Sequence, residues 1–227
     1  MRRVTGVLLH PRATMDEVVR RPAFITTWAV VLLVVLVCGG LLLSTSVGQQ
    51  ALVDERVRVT EAMGGRIDDA TYDALKARPP VSIYLTSGGR LLLTPPVTVL
   101  AAAGLVLLAR ADGARLTFVT AVAIAVHATV VLALQQVVAT PLHYALESLT
   151  SPTTVAGLLR VFDEGSLPSR LFGTIDVFGL WWIWLLALGV AAATRRPVRR
   201  YLWKLLAIYF GTAGVVAVVF ALLGNGL

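Results

Sequence analysis

Apolar residues gather into five long runs, at 23–43, 91–109, 116–139, 177–193 and 201–223, separated by stretches rich in charge, Gly and Pro. A bilayer core of roughly 30 Å takes about 20 mostly apolar residues as helix, because each unpaired backbone N–H or C=O costs several kcal/mol in lipid. The pattern therefore predicts an all-α, polytopic membrane protein with a bundle of five transmembrane helices. Pro95 and Pro96, near the start of the second run, predict a kink there or a delayed helix start. The first run follows a polar stretch, exceeds the apolar core of a signal peptide and lacks a clear small-x-small cleavage site, so it reads as a retained anchor.

The polar intervals have structure of their own. Segment 44–90 contains ALVDERVRVTEAMGG, with apolar residues at helical spacing and a stop at Gly64 and Gly65, followed by IDDATYDALKARPP, with Asp68 as a cap and Pro79 as a terminator. It is expected to be a helical hairpin outside the membrane; a partner-docking role and a plain solvated connector both stay open. In the interval 141–172, Val155, Leu158, Leu159 and Phe162 share one face of a short helix, with packing against the bundle favoured over an interfacial position. Residues 1–22 read as a cytoplasmic amphipathic segment, with Val18 and Val19 following Thr14 and Asp16 and Pro22 closing the stretch; residues 23–227 form the membrane domain.

Charge adds direction. The chain has 227 residues and a net charge of +7, with 57% apolar and 15% charged positions and a mean hydropathy of +0.79; that is more apolar surface than a soluble domain of this size buries. The cations flank the apolar runs instead of clustering beside aromatics, which argues against a nucleic-acid partner. The leading segment and the second and fourth connections hold twelve basic residues against three acidic ones, a net of +9, while the other side nets −1. Basic flanks stay in the cytoplasm, so the N-terminus is expected inside and the C-terminus outside. Arg12, Arg20, Arg21, Arg195, Arg196, Arg199 and Arg200 are the expected membrane-surface cations, facing anionic headgroups. Only Lys76 and Lys204 are lysines, a bias that fits a GC-rich bacterial genome. Cys38 is the sole cysteine, so no intrachain disulfide or Cys-based zinc site exists.

Two polar residues stand out within the apolar runs. Asp176 is costly in lipid unless it caps the fourth helix, where it would favour the positive end of the dipole; a proton or cation site is the sharper alternative. His127, midway along the third run, is expected to hydrogen-bond to a neighbouring helix. His127 and His143, sixteen residues apart, form no metal-ligand signature with Asp176, and no metal or cofactor is expected. Gln135 and Gln136 are placed facing the bundle or headgroups, and Trp181, Trp182 and Trp184 in an aromatic belt. Ala207, Gly211, Gly214, Ala217 and Ala221 make a strip of small residues suited to close helix packing. No nucleophile elbow, phosphate-binding glycine loop or zinc-protease motif occurs, so no enzymatic role is expected.

HPRATMDEVVRRP before the first span, VAIAVHATV in the third and DVFGLWWIWLLALGVAAAT as the fourth together resemble the bacterial Yip-domain family. The likeness covers nearly the whole chain and rests on Pro11, Asp176, Phe178, Trp181 and Gly189. It implies a five-helix membrane protein without catalytic residues, in a bacterial cytoplasmic membrane. Some relatives are accessory subunits of ABC-type exporters beside a permease and a periplasmic adaptor, and the large outer segment here suits contact with such an adaptor. The expected function is that of a non-enzymatic accessory or scaffold subunit. A self-contained small transporter or channel with a polar path at Asp176 and His127 is the alternative, weakened by the lack of an internal repeat.

Overall fold

The computed structural model describes residues 2–77, 81–159, 172–173 and 175–224, with the side chains at 62, 81–92, 159 and 216–224 left aside. The expected terminator Pro79, the neighbouring Arg78 and Phe162 of the expected short helix lie outside the described residues. Among the described residues the chain is helical, with one isolated bridge between Thr154 and Asp176. It divides into two units: Met1–Val35 with Leu91–Gln135 and Phe178–Tyr209, and Leu36–Arg90 with Gln136–Val177 and Phe210–Leu227.

In the first unit, α1 (Arg2–Leu9) and α2 (Pro11–Arg20) precede the first long apolar helix, α3 (Ile25–Leu43). Pro11 starts α2 at a position where its missing N–H costs nothing, so the helix begins earlier than the Thr14 and Asp16 signal predicts. Val7, Met15 and Val18 are wholly buried in the main core, and α1 and α2 pack on α7 (Phe118–Ala128). The apolar face of the amphipathic segment is thus spent on protein. Arg3 fastens the arrangement by donating to Glu17 Oε1 (3.0 Å) and to the carbonyls of Arg21 (2.9 Å) and Ala23 (3.2 Å).

The same core holds Ala102, Leu105, Ile124, Val126, Leu185 and Leu188. They come from α6 (Val81–Ala111), α7 and α10 (Val177–Thr194). Close approach of α7 and α10 requires glycine at 189, where an added Cβ would lie 2.4 Å from Ile124 Cγ2. Trp181, Trp182 and Trp184 pack against this core, and the Trp182 indole N–H is buried without a partner. That corrects the aromatic-belt expectation for Trp182, because a belt indole directs its N–H to the headgroups.

Helix α6 runs through Pro95 and Pro96 from Val81 without interruption, so its start is not delayed. Two prolines forfeit two backbone hydrogen bonds, but a break in an apolar run would expose more unpaired groups than it relieves. The third apolar helix passes from α7 to α8 (Val130–Ala145) through Thr129, which keeps a right-handed helical backbone; its amide donates to the Ala125 carbonyl and its own carbonyl accepts from the Ala133 amide, both at 3.0 Å, while its hydroxyl also donates to the carbonyls of Ala125 (2.8 Å) and Val126 (2.9 Å). Helix α8 continues past the expected end at 139, through Pro141 to Ala145, and the short helix expected in the following interval forms as α9 (Val155–Leu159).

In the second unit, Thr45 caps α4 (Ser46–Ala62), accepting from the Gly48 amide at 3.0 Å. A Cβ at Gly48 would come within 2.0 Å of the Leu42 carbonyl oxygen, so the chain reverses tightly there only because residue 48 is glycine. Gly64 has φ 82, and the Gly65 amide closes on the Thr60 carbonyl at 2.9 Å, ending α4 in a Schellman turn. Asp68 then accepts from the Thr71 amide at 3.0 Å and caps α5 (Asp69–Ala77). Leu52 and Val53 of α4 pack with Tyr72 and Leu75 of α5. Gln50 Nε2 and the Tyr72 hydroxyl both donate to Asp54 Oδ1, at 2.9 and 2.8 Å.

Four helices among the described residues are long and apolar enough to cross a membrane: Ile25–Leu43, Leu93–Ala111, Phe118–Ala145 and Val177–Thr194. The fifth expected window, 201–223, lies on α11 (Val198–Gly224), whose side chains beyond Val215 are not described.

Gly189→Ala is expected to lower the unfolding free energy in mild detergent by about 1–3 kcal/mol, the usual cost of overpacking. Adding Ile124→Ala should recover part of that loss. A Gly189→Ala variant as stable as the parent would refute the tight α7 to α10 contact.

Candidate functional site

Three polar clusters are built into the helical frame. The first is His127, wholly buried among apolar side chains. Its Nδ1 lies 2.7 Å from the Ala123 carbonyl, one turn back on α7. A carbonyl only accepts, so Nδ1 carries the proton, and in the uncharged ring Nε2 accepts from the Thr27 hydroxyl at 3.0 Å. Thr27 is also buried and belongs to the first turn of α3. The imidazole therefore ties α3 to α7 with both ring nitrogens occupied, which is the interhelical bond its position in the sequence predicts.

The second cluster surrounds Asp176, immediately before α10. Its Oδ2 accepts from the hydroxyls of Thr153 and, at 3.3 Å, Ser151. The backbone pairs beside it, with the Val155 amide on the Ile175 carbonyl (2.8 Å) and the Val177 amide on the Thr153 carbonyl (3.3 Å). Asp176 thus pins the incoming connection to the start of its helix, and its charge stands at the positive end of the α10 dipole. His143, from the imagined metal set, has Nδ1 2.8 Å from the Ser148 carbonyl. Among the described residues no three His, Cys, Asp or Glu side chains converge.

Sequence reasoning treated Asp112 only as a charge to be counted, and it anchors the third cluster. It follows the last turn of α6, where Gly113, with φ 69, lets the Ala114 amide reach the Ala109 carbonyl at 2.9 Å. Asp112 Oδ1 accepts from Arg200 Nη2 at 2.9 Å and from Lys204 Nζ at 2.6 Å. The carboxylate side chain is only 3% exposed, against 47% for Arg200 and 41% for Lys204. The hydrogen bonds from Arg200 and then Lys204 hold its pKa down, from the ordinary 3.8 to about 2, and the Arg200 pKa is raised in turn by the Asp112 bond. The DG pair after an apolar run was the available signal, since it marks a helix end at which a carboxylate turns back toward the bundle.

The remaining nominated residues are spread over the surface. Arg12, Arg20, Arg21, Arg195 and Arg199 are exposed and Arg196 is partly so; Arg200 is the member engaged by a carboxylate. Arg195 has φ 54 and lets the Arg196 amide bond to the Ala191 carbonyl at 3.1 Å, a left-handed helix end normally given to glycine. On α11, Ala207 and Gly211 are exposed and Gly214 is half-buried. A Cβ added at Gly211 or Gly214 would meet nothing within 4 Å. Ala217 and Ala221 continue the strip into side chains that are not described.

Long apolar helices with their polar side chains turned onto one another define a multi-pass α-helical membrane protein. The Yip1 domain family model matches residues 5–221, from within α1 almost to the end of α11. The chain belongs to the Yip1 domain family, as the motifs around Pro11, His127 and Asp176 imply. No curated protein and no solved structure matches it.

The Asp112 cluster has a pH signature. Because the folded pKa is depressed, its contribution to stability is complete above about pH 4 and is lost as pH falls through about 2. Thermal unfolding in detergent should show wild type more stable than Asp112→Asn at pH 6. That gap should close between pH 4 and 2; a gap that is constant down to pH 2 would show that the carboxylate's charge is not what Arg200 and Lys204 hold.

Proposed function

We propose that this chain is a non-catalytic accessory or scaffold subunit of a larger membrane assembly, with an ABC-type permease and a periplasmic adaptor as its expected partners. It crosses a bacterial cytoplasmic membrane five times, with its N-terminus inside and C-terminus outside. The observation that carries the reading is the engagement of both polar groups nominated for chemistry: His127 by Ala123 and Thr27, and Asp176 by Ser151 and Thr153. A group that coordinates a cargo ion offers it a lone pair, whereas both His127 nitrogens and Asp176 Oδ2 are engaged in holding helices and a connection in place.

Two features support a docking role. The helices α4 and α5 form a polar, self-consistent pair closed by Gln50, Asp54 and Tyr72, outside the membrane in the proposed orientation, as an extracytoplasmic hairpin suited to a soluble adaptor. The small-residue strip at Ala207, Gly211 and Gly214 leaves open space along α11, which suits a helix of another subunit.

A mild-detergent pull-down of the tagged chain from its native membrane, read by mass spectrometry, is expected to recover a permease and an adaptor in stoichiometric amounts. Deleting residues 46–77 should release the adaptor while leaving the permease. A chain that purifies alone, and whose His127→Ala and Asp176→Asn variants fold normally but lose function in cells, would replace the scaffold reading with that of a small transporter.

A further inference from the structure

The pair α4 and α5 is tied to two further pieces of chain. Gln49 Nε2 donates to the Leu43 carbonyl at 3.0 Å and the Thr45 hydroxyl to the Leu42 carbonyl at 2.7 Å. These bonds fasten α4 to the last turn of α3, where Gly48 already lies against Leu42. Leu43 and Leu149 both join the apolar cluster of Leu52, Val53, Tyr72 and Leu75. Arg58 donates to the Thr150 hydroxyl, and the turn that delivers Leu149 and Thr150 is closed by His143 Nδ1, donating to the Ser148 carbonyl at 2.8 Å. Residues 42–77 and 143–150 are thus one body built by direct contacts, a head larger than the hairpin alone.

Three apolar helices connect to that head, and each carries a weakened turn on the way. In α3 the pair Gly39 and Gly40 stands just before Leu42. A Cβ at either would meet nothing within 4 Å, so packing does not require glycine there, and a glycine pair inside a helix lowers its resistance to bending. In α8, Pro141 supplies no N–H to the Val137 carbonyl, and the Thr140 hydroxyl donates to the Gln136 carbonyl at 2.7 Å, a back-bond that bends helices. In α6, which follows α5 in the chain, Pro95 and Pro96 withhold the amides due to the carbonyls of Leu91 and Leu92. Thr98 repeats the back-bond there, on the Thr94 carbonyl at 2.7 Å.

Packing does not brace these turns. From 32 to 41 no residue of α3 is buried, and Pro96 and Pro141 are exposed, whereas α7 is buried without a break from Ala121 to Ala128. A helix bends where backbone bonds are missing and no neighbour resists. We propose that residues 42–77 and 143–150 move as a rigid head on three bending stems, at Gly39 and Gly40 of α3, Pro95 and Pro96 of α6, and Pro141 of α8. Motion of this kind confines its backbone changes to a few residues and leaves the bodies on either side intact. Bending reorients the head while α7 and the packing around His127 stay as they are. The device goes beyond the scaffold reading and does not rest on it, because the purified chain alone displays it.

The test is pulsed electron paramagnetic resonance on the full chain in lipid nanodiscs, with pairs of spin labels introduced on a Cys38→Ser background. Glu61→Cys with Lys76→Cys reports within the head, Arg12→Cys with Arg115→Cys within the first unit, and Lys76→Cys with Arg115→Cys across the stems. The first two pairs are expected to give single narrow distance distributions and the third a broad or two-peaked one. Gly39→Ala with Gly40→Ala, which adds Cβ atoms where space is open, should narrow the third distribution in part. Adding Pro95→Ala, Pro96→Ala and Pro141→Ala should narrow it to the width of the within-head pair and leave the other two pairs unchanged. A spanning pair as narrow as the within-head pair in the parent chain, a within-head pair as broad as the spanning one, or a folded Gly39→Ala, Gly40→Ala chain whose spanning distribution matches the parent's would each overturn the proposal.

Discussion

A polar atom carried into hydrocarbon is costly unless it finds a partner within the protein, and the packing of the first helices follows from how this chain meets that demand at His127. The most demanding case is His127, whose ring sits in the main core with no access to water. Thr27 answers it from α3 and Ala123 from its own helix, so one imidazole sets the register of two helices far apart in sequence. Dispersion alone would let apolar helices slide, because lipid tails are as apolar as their side chains; a directional bond does not. Around it the packing is equally specific, with Gly189 admitting Ile124 and the α1 and α2 pair spending Val7, Met15 and Val18 on α7.

The same demand shapes the helix ends. The turns after α4, α6, α8 and α10 each return an amide to a carbonyl five residues back, at Gly65, Ala114, Ser148 and Arg196. Gly64 and Gly113 make two of these turns at little cost, while Glu147 and Arg195 adopt the left-handed conformation with side chains attached, a strain of roughly 1 kcal/mol each. Arg195 gains in return a cation at the negative end of α10. At the start of α11, Asp112 takes both Arg200 and Lys204.

Much of this was legible in the apolar pattern. Four expected spans coincide with long apolar helices, Gly64 and Asp68 mark the ends they signal, and the family follows from motifs at Pro11, His127 and Asp176. Local signals failed where backbone continuity or tertiary contact overrode them: Pro95, Pro96 and Pro141 sit inside helices, because a break in an apolar segment costs more than the lost bonds. The amphipathic spacing of residues 1–22 foretold an apolar face but not its partner, since lipid and protein ask for the same residues. Gly48 carries no sequence mark of its own, and Gly189, though part of the family motif, shows why it is glycine only in the distance of an added Cβ to Ile124, as Gly48 does in the distance to Leu42. The Asp112 cluster spans 88 residues of sequence to Arg200, beyond any local pattern.

The central claim is that the Thr27–His127 hydrogen bond holds α3 against α7. A double-mutant cycle measures this most directly, with Thr27→Val, His127→Leu and the pair compared by unfolding in detergent. The account expects a coupling of about 0.5–1.5 kcal/mol between the two positions, in the range of interhelical hydrogen bonds in membranes. Additive effects of the two substitutions, with no coupling, would contradict it and free His127 for a role in transport.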